Sequence, residues 1–184
     1  MRVIPFLFSL LLLCSFDGPK LAKVTVAKGI TVSMPANFTR MTDDEMANRY
    51  FTFRKPVAMF TSPDHSADLG FNISNSHWRK DDLPIAKDFY LSTIQTMYTK
   101  VDFIQKGVLK MVNKRQFAVF EFVSEVVDDD EQSLNKGAVT RQYSYIQYAI
   151  QDGKVLVFNF TCAARAKDKW QTTAQAVMKS VRLK

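Results

Sequence analysis

Apolar and polar positions along this chain follow two different periods, and each change of period marks a new element. In "GITVSMP" (29–35), Ile30, Val32 and Met34 alternate with Thr31 and Ser33, the period of two of a half-buried strand. "TDDEMANRYF" follows, where Thr42 with Glu45 three residues on predicts a capping box and a short helix. "PVAMFTS" and "LGFNISN" predict two strands joined by the turn-rich "PDHSAD". The period then lengthens. "DDLPIAKDFYLSTIQTMY" is expected to be a long helix whose apolar stripe is Ile85, Phe89, Tyr90, Ile94, Met97 and Tyr98. Acidic residues and Pro84 sit at its start, where the helix dipole and the missing proline N–H favour them.

From Val101 the period returns to two. "DFIQKGVLKMV" and "RQFAVFEFVSEV" flank Asn113-Lys114, a tight hairpin, and Gly107 marks a bulge. "AVTRQYSYIQYAI" and "KVLVFNFTC" flank Asp152-Gly153, a second hairpin. The last helix, "KDKWQTTAQAVMKSVR", sets Trp170, Ala174, Val177, Met178 and Val181 on one face and Lys/Arg on the other. Strands gathered in hairpins, with helices between and after them, predict an α+β fold with a largely antiparallel sheet of about six strands. "FAVFEFV" is apolar at both parities, so both sheet faces are expected to be covered by helices, an α-β-α sandwich rather than a barrel.

That order of elements, with "SMPANF" ending the first strand, "TDDE" opening the short helix and "KW…VMKSV" in the last one, resembles the Mog1/PsbP-like superfamily over about Lys28 to Leu183. Within it the pattern is most similar to the bacterial DcrB-like proteins of unknown function. The resemblance implies a non-catalytic α-β-α sandwich that binds or scaffolds other molecules. It rests on the pattern of elements and carries over no functional residue.

Residues 1–22 read as a secretory signal, with Arg2 as the positive end and Phe6 to Leu13 as the apolar run. The run is too short to span a bilayer core of about 30 Å, which takes about 20 helical residues. Two exits stay open. One is ordinary cleavage, after Ser15 with Leu13 or after Ala22 with Lys20, so that the chain starts near Phe16 to Lys23; the other is a lipoprotein signal cut at Cys14, where "LLLC" places a cysteine for lipidation. Residues 23–184 form one domain, exported and either periplasmic, tethered to a membrane through Cys14, or secreted. Cys162 is then the only cysteine of the body, in phase with Leu156, Phe158 and Phe160, and reads as a buried thiol.

The net charge of +7 permits anionic partners, but no Lys/Arg run is interleaved with stacking aromatics, so nucleic acid is not expected. Asp64, His65 and Asp68 form the most metal-like group. It lacks the second half of a zinc site and reads as a surface turn, so no metal or cofactor is expected. There is no G-x-S-x-G elbow, no glycine-rich phosphate loop and no H-E-x-x-H, and the chain reads as a non-enzyme. Three surfaces are candidates for binding. His77-Trp78 lies in the loop before the long helix. Asp128, Asp129 and Asp130 stand in the acidic loop from Val126 to Gly137. Tyr143 and Tyr145 share a strand face that suits recognition, or equally packing beneath an amphipathic helix. The expected role is an exported non-catalytic binding or scaffold protein of the bacterial cell envelope, with a protein or envelope component as partner. The alternatives are a carrier or chaperone for a hydrophobic segment or small apolar ligand, and a hydrolase with an unrecognised site.

Overall fold

Two hairpin turns set the register of the sheet. Asn113 and Lys114 have φ of 45° and 69°, and Asp152 and Gly153 have 52° and 75°, the paired positive values of two-residue turns whose twist matches the flanking strands. The protein is described by a computed structural model over residues 20–50, 55–128 and 136–184. In chain order its elements are β1 (Leu21–Ala27), β2 (Ile30–Pro35), β3 (Thr39–Arg40), α1 (Asp43–Arg49), β4 (Ala58–Thr61) and β5 (Ala67–His77). Then come α2 (Leu83–Met97), β6 (Lys100–Val112), β7 (Arg115–Val127), β8 (Val139–Gln151), β9 (Lys154–Ala163), α3 (Lys167–Lys179) and β10 (Arg182–Leu183). Among the described residues no helix is long and apolar enough to cross a membrane.

The main sheet is antiparallel with seven strands, in the order β3-β4-β5-β9-β8-β7-β6. A second sheet, β1-β2-β10, joins the two ends of the described chain. The main sheet is the expected largely antiparallel, helix-covered one of about six strands, with one strand more, and the small sheet is an addition to it. β3 and β10 are two residues long, too short for any period to show. β1 pairs with β2 from Leu21↔Pro35. One face of the main sheet lies under α2, which packs on β6, β7 and β8; the other lies under α3 and the small sheet. β7 is covered on both sides, as its sequence predicts. Phe117 and Val119 join the core with Trp170, Val177 and Met178, while Ala118, Phe120 and Phe122 join Leu83 and Ile94 of α2.

The capping box is present: the Thr42 N–H donates to Glu45 Oε2 at 2.6 Å, and the Glu45 N–H donates to Thr42 Oγ1 at 3.3 Å. Gly107 (φ 69°) lies within a register shift between Lys106 and Val108, the predicted bulge. The stripe of α2 is offset from the expected one. Leu83, Ala86 and Ile94 are buried and Tyr90, Leu91 and Tyr98 partly so, while Ile85, Phe89 and Met97 point outward at 62%, 54% and 63% exposure. Apolar residues wrap more than half of this helix, so two stripes have helical spacing and only tertiary packing chooses between them.

Lys114 occupies a backbone region that costs a residue with a Cβ about 1–2 kcal/mol. Lys114→Gly is therefore expected to stabilise the domain by ~0.5–1 kcal/mol after the entropy glycine loses on folding, read as a higher urea midpoint at unchanged slope.

Candidate functional site

Three places in this frame gather chemically distinctive side chains. The first is the outer face of α2. The backbone N–H of Trp78 donates to the Gly153 carbonyl at 2.9 Å, which pins the end of β5 to the β8–β9 side of the sheet. The Trp78 ring lies 6.0 Å from that of Phe89, Phe89 meets Tyr90 edge-on at 5.3 Å, and Tyr90 stacks on Tyr148 at 4.0 Å. A continuous aromatic path thus runs from the sheet to the exposed Phe89. His77 is exposed at the end of β5.

The second place is a buried carboxylate. Glu121 points from β7 towards α3 and is fully buried. It accepts hydrogen bonds from Tyr143 Oη (2.9 Å), Gln171 Nε2 (2.7 Å), Gln175 Nε2 (3.0 Å) and Gln105 Nε2. Lys110 Nζ in turn donates to Gln105 Oε1, so a cation reaches the carboxylate through an amide. Burial pushes the Glu121 carboxyl up, but the four donors outweigh it and hold the group below the ordinary carboxylate range. Tyr143 and Tyr145 are 0% and 4% exposed beneath α3. The reading of their strand face as a recognition surface is corrected: it packs beneath the amphipathic helix, the other option the pattern allowed. Burial pushes the Tyr145 phenol up to about 12 and that of Tyr143 higher still.

The third place is a cleft of about 450 Å³ between the end of α1, the loop before β5 and the 3-10 turn Ala164–Ala166 after β9. Asp68 lies at its floor, 5% exposed. One of its oxygens, Oδ2, takes the Arg49 guanidinium at 3.0 Å and the Tyr50 hydroxyl. The other, Oδ1, is buried with no partner among the described residues. Asp64, by contrast, is bracketed by Ser62 Oγ (2.6 Å), Ser66 Oγ (2.8 Å) and Lys169 Nζ (2.7 Å), which hold its carboxyl well below the usual range, the lysine contributing most. His65 is exposed at φ 52°. Asp64, His65 and Asp68 therefore do not converge, and no group of three metal-ligating side chains occurs among the described residues.

Cys162 is buried and its thiol is pushed up to about 11 by burial. Asp128 is partly buried, and its backbone closes the base of the acidic loop, with its N–H to the Ala138 carbonyl at 2.9 Å and its own carbonyl to the Gly137 N–H at 2.7 Å. Asp129, Asp130 and Cys14 lie outside the described residues. Sequence reasoning missed Glu121 as a site residue and placed Asp68 in a surface turn. The signal for Glu121 was available: the one charge inside the run 117–123, apolar at both parities, has no water to turn to and needs partners.

No family model matches the chain, and no curated protein matches it by sequence. Solved structures do match in shape. The cyanobacterial PsbP of Synechocystis sp. PCC 6803 superposes with a TM-score of 0.59 at 12% identity, covering 93% of this chain and 97% of its own. The Ran-binding protein Mog1p of Saccharomyces cerevisiae gives 0.53 at 10% identity, covering 90% and 96%. The chain has the Mog1/PsbP-like fold. LpqN of Mycobacterium tuberculosis, described as involved in cell envelope biogenesis, shares that fold with a TM-score of 0.54 at 9% identity over 89% of this chain and 90% of its own. Identities this low carry the Mog1/PsbP-like fold alone, so each functional residue rests on its own geometry.

Proposed function

We propose that this chain is an exported, non-catalytic binding domain of the bacterial cell envelope that holds a protein partner on the outer face of α2. The observation that carries this reading is the exposure of Ile85, Phe89 and Met97 along one helix, with Trp78 beside Phe89 as an aromatic anchor. The leader-like residues 1–22 support export, and the envelope role of LpqN and the Ran binding of Mog1p give precedents for envelope work and for partner binding on this fold. Two groups that catalysis could recruit are poorly suited to it. Glu121 is held by four donors, and the raised thiol of Cys162 is a poor nucleophile. The roomiest clefts are lined with charged side chains, which speaks against a carrier of apolar ligands.

Two measurements test this reading. N-terminal analysis of the native protein is expected to find a chain that starts at Cys14, lipidated, or between Phe16 and Lys23; an intact Met1 overturns export. A photo-crosslinking residue at Phe89 is expected to give a discrete protein adduct in native membranes, while one at the exposed Asn48 of α1 gives none. Ile85→Ser with Phe89→Ser is expected to abolish a crosslink made from Met97 at unchanged melting temperature. Equal adducts from both positions, or a crosslink that survives the double substitution, overturn the assignment of this face.

A further inference from the structure

Beneath the cleft at the end of α1 lies a local charge imbalance of an unusual kind. Five charged side chains line or border it: Arg49, Asp64, Asp68, Arg165 and, from α3, Lys169. Lys169 is paired with Asp64, and Arg49 with Asp68. Arg165 is left exposed, with no hydrogen bond or ion pair among the described residues. Asp68 is left with its second oxygen buried and unpartnered. A buried charged acceptor without a donor costs more than an ordinary unmade hydrogen bond, so this oxygen calls for a donor. The neighbouring hydroxyls do not supply one. Tyr50 donates to the other oxygen, and Thr161, directly across the sheet from Asp68, makes no hydrogen bond to the free one.

We propose that this cleft binds a small zwitterion, a molecule carrying an ammonium group and a carboxylate, with Asp68 taking the ammonium and Arg165 the carboxylate. Each end of such a ligand completes one unmet group. A simple anion satisfies only Arg165, and a simple amine satisfies only Asp68. Arg49 and Tyr50, which also line the cleft, hold the other Asp68 oxygen, so the carboxylate is fixed in place before the ligand arrives. The volume of about 450 Å³ lies within the range of small-molecule sites and suits a free amino acid or a dipeptide. Gln142 and His65 on the wall are positioned to sense what lies between the two charged ends. The site is separate from the outer face of α2 and does not depend on a protein partner binding there.

Calorimetric titration of the full chain tests the proposal with L-alanine, L-phenylalanine and the dipeptide Ala-Ala, each also as the N-acetyl acid and as the methyl ester. At least one unblocked compound is expected to bind saturably, and blocking either end is expected to weaken it about tenfold or more. The free amino acids against the dipeptide show which spacing of charges the cleft takes. Arg165→Gln is expected to weaken binding about tenfold without moving the melting temperature, because that side chain holds nothing else in place. Asp68→Asn is expected to do the same. If that variant fails to fold, Arg165→Gln still decides the matter. The proposal is overturned if none of the unblocked compounds binds at millimolar concentration, which leaves Asp68 to an ordered water. It is overturned equally if the N-acetyl acids bind as well as the free forms, which makes the cleft a plain anion site, or if binding survives Arg165→Gln.

Discussion

Glu121→Ala is expected to destabilise the domain by about 3 kcal/mol, a large part of the roughly 5–15 kcal/mol that holds a domain folded. The loss arises because the carboxylate is the common acceptor of Tyr143, Gln105, Gln171 and Gln175, which belong to three different elements: β8, β6 and α3. Gln171 and Gln175 are partly exposed and find water, but the Tyr143 hydroxyl is fully buried and does not. Glu121→Gln keeps the volume and turns one acceptor into a donor facing donors, so it is expected to cost about half as much. The two variants also differ from the native chain in their response to acid. The folded-state pKa of Glu121 is depressed, so its contribution is complete above the unfolded value of about 4.3 and is lost as the pH falls through the lower folded value. Urea midpoints measured from pH 6 downwards are expected to converge for native protein and Glu121→Gln. Parallel curves at all pH values would show that the buried group is already neutral.

Gly70→Ala is expected to cost about 2 kcal/mol by overpacking. On β5 this residue lies between Met59 and Asn159, its register partners on β4 and β9. A Cβ there collides with Asn159 Oδ1 and stands 2.7 Å from Met59 Sδ. The methionine end is flexible and gives way; the asparagine belongs to a central strand. Combining Gly70→Ala with Asn159→Ala is therefore expected to recover part of the loss, a non-additivity that thermal melts of the three variants measure directly. Additive losses would mean that the strain lies in the β5 backbone instead.

Much of this architecture is legible in the chain because local rules and tertiary packing agree. The Thr42–Glu45 box, the turns at Asn113-Lys114 and Asp152-Gly153 and the bulge at Gly107 are each specified by two to four neighbouring residues, and each occurs where the pattern puts it. The same holds for β7, whose apolar residues at both parities require two covering layers. Legibility ends where a choice depends on a distant partner. The outward turn of Ile85 and Phe89 is decided by what β6, β7 and β8 offer to α2, not by the period of the helix itself. The small sheet exists because β2 meets β10, some 150 residues away, and two-residue strands carry no period of their own. Tyr143 and Tyr145 show the same limit from the other side. An amphipathic tyrosine strand reads alike whether its cover is a partner or the protein's own last helix, and here α3 takes that place. The polar pair Glu121 and Asp68 mark opposite failures. Glu121 looks misplaced in an apolar strand and is fully satisfied, whereas Asp68 looks like an ordinary turn residue and is buried with an oxygen unmet.

The order of strands has a consequence for the chain while it is being made. β6 to β9 form a meander of neighbours that pair as soon as each hairpin leaves the ribosome, and local pairings of this kind form quickly. β5 is made long before them, yet its inner edge pairs only with β9. β2 waits longer still, for β10 and for the bonds from Ser33 to Ser180 and from Lys184 to the Gly29 carbonyl. Synthesis therefore presents first the segments that must wait and last the segments that complete them. The nascent polypeptide has no finished sheet until Ala163 has emerged and no finished core until Leu183 has, so it remains threadable for nearly the whole of its translation.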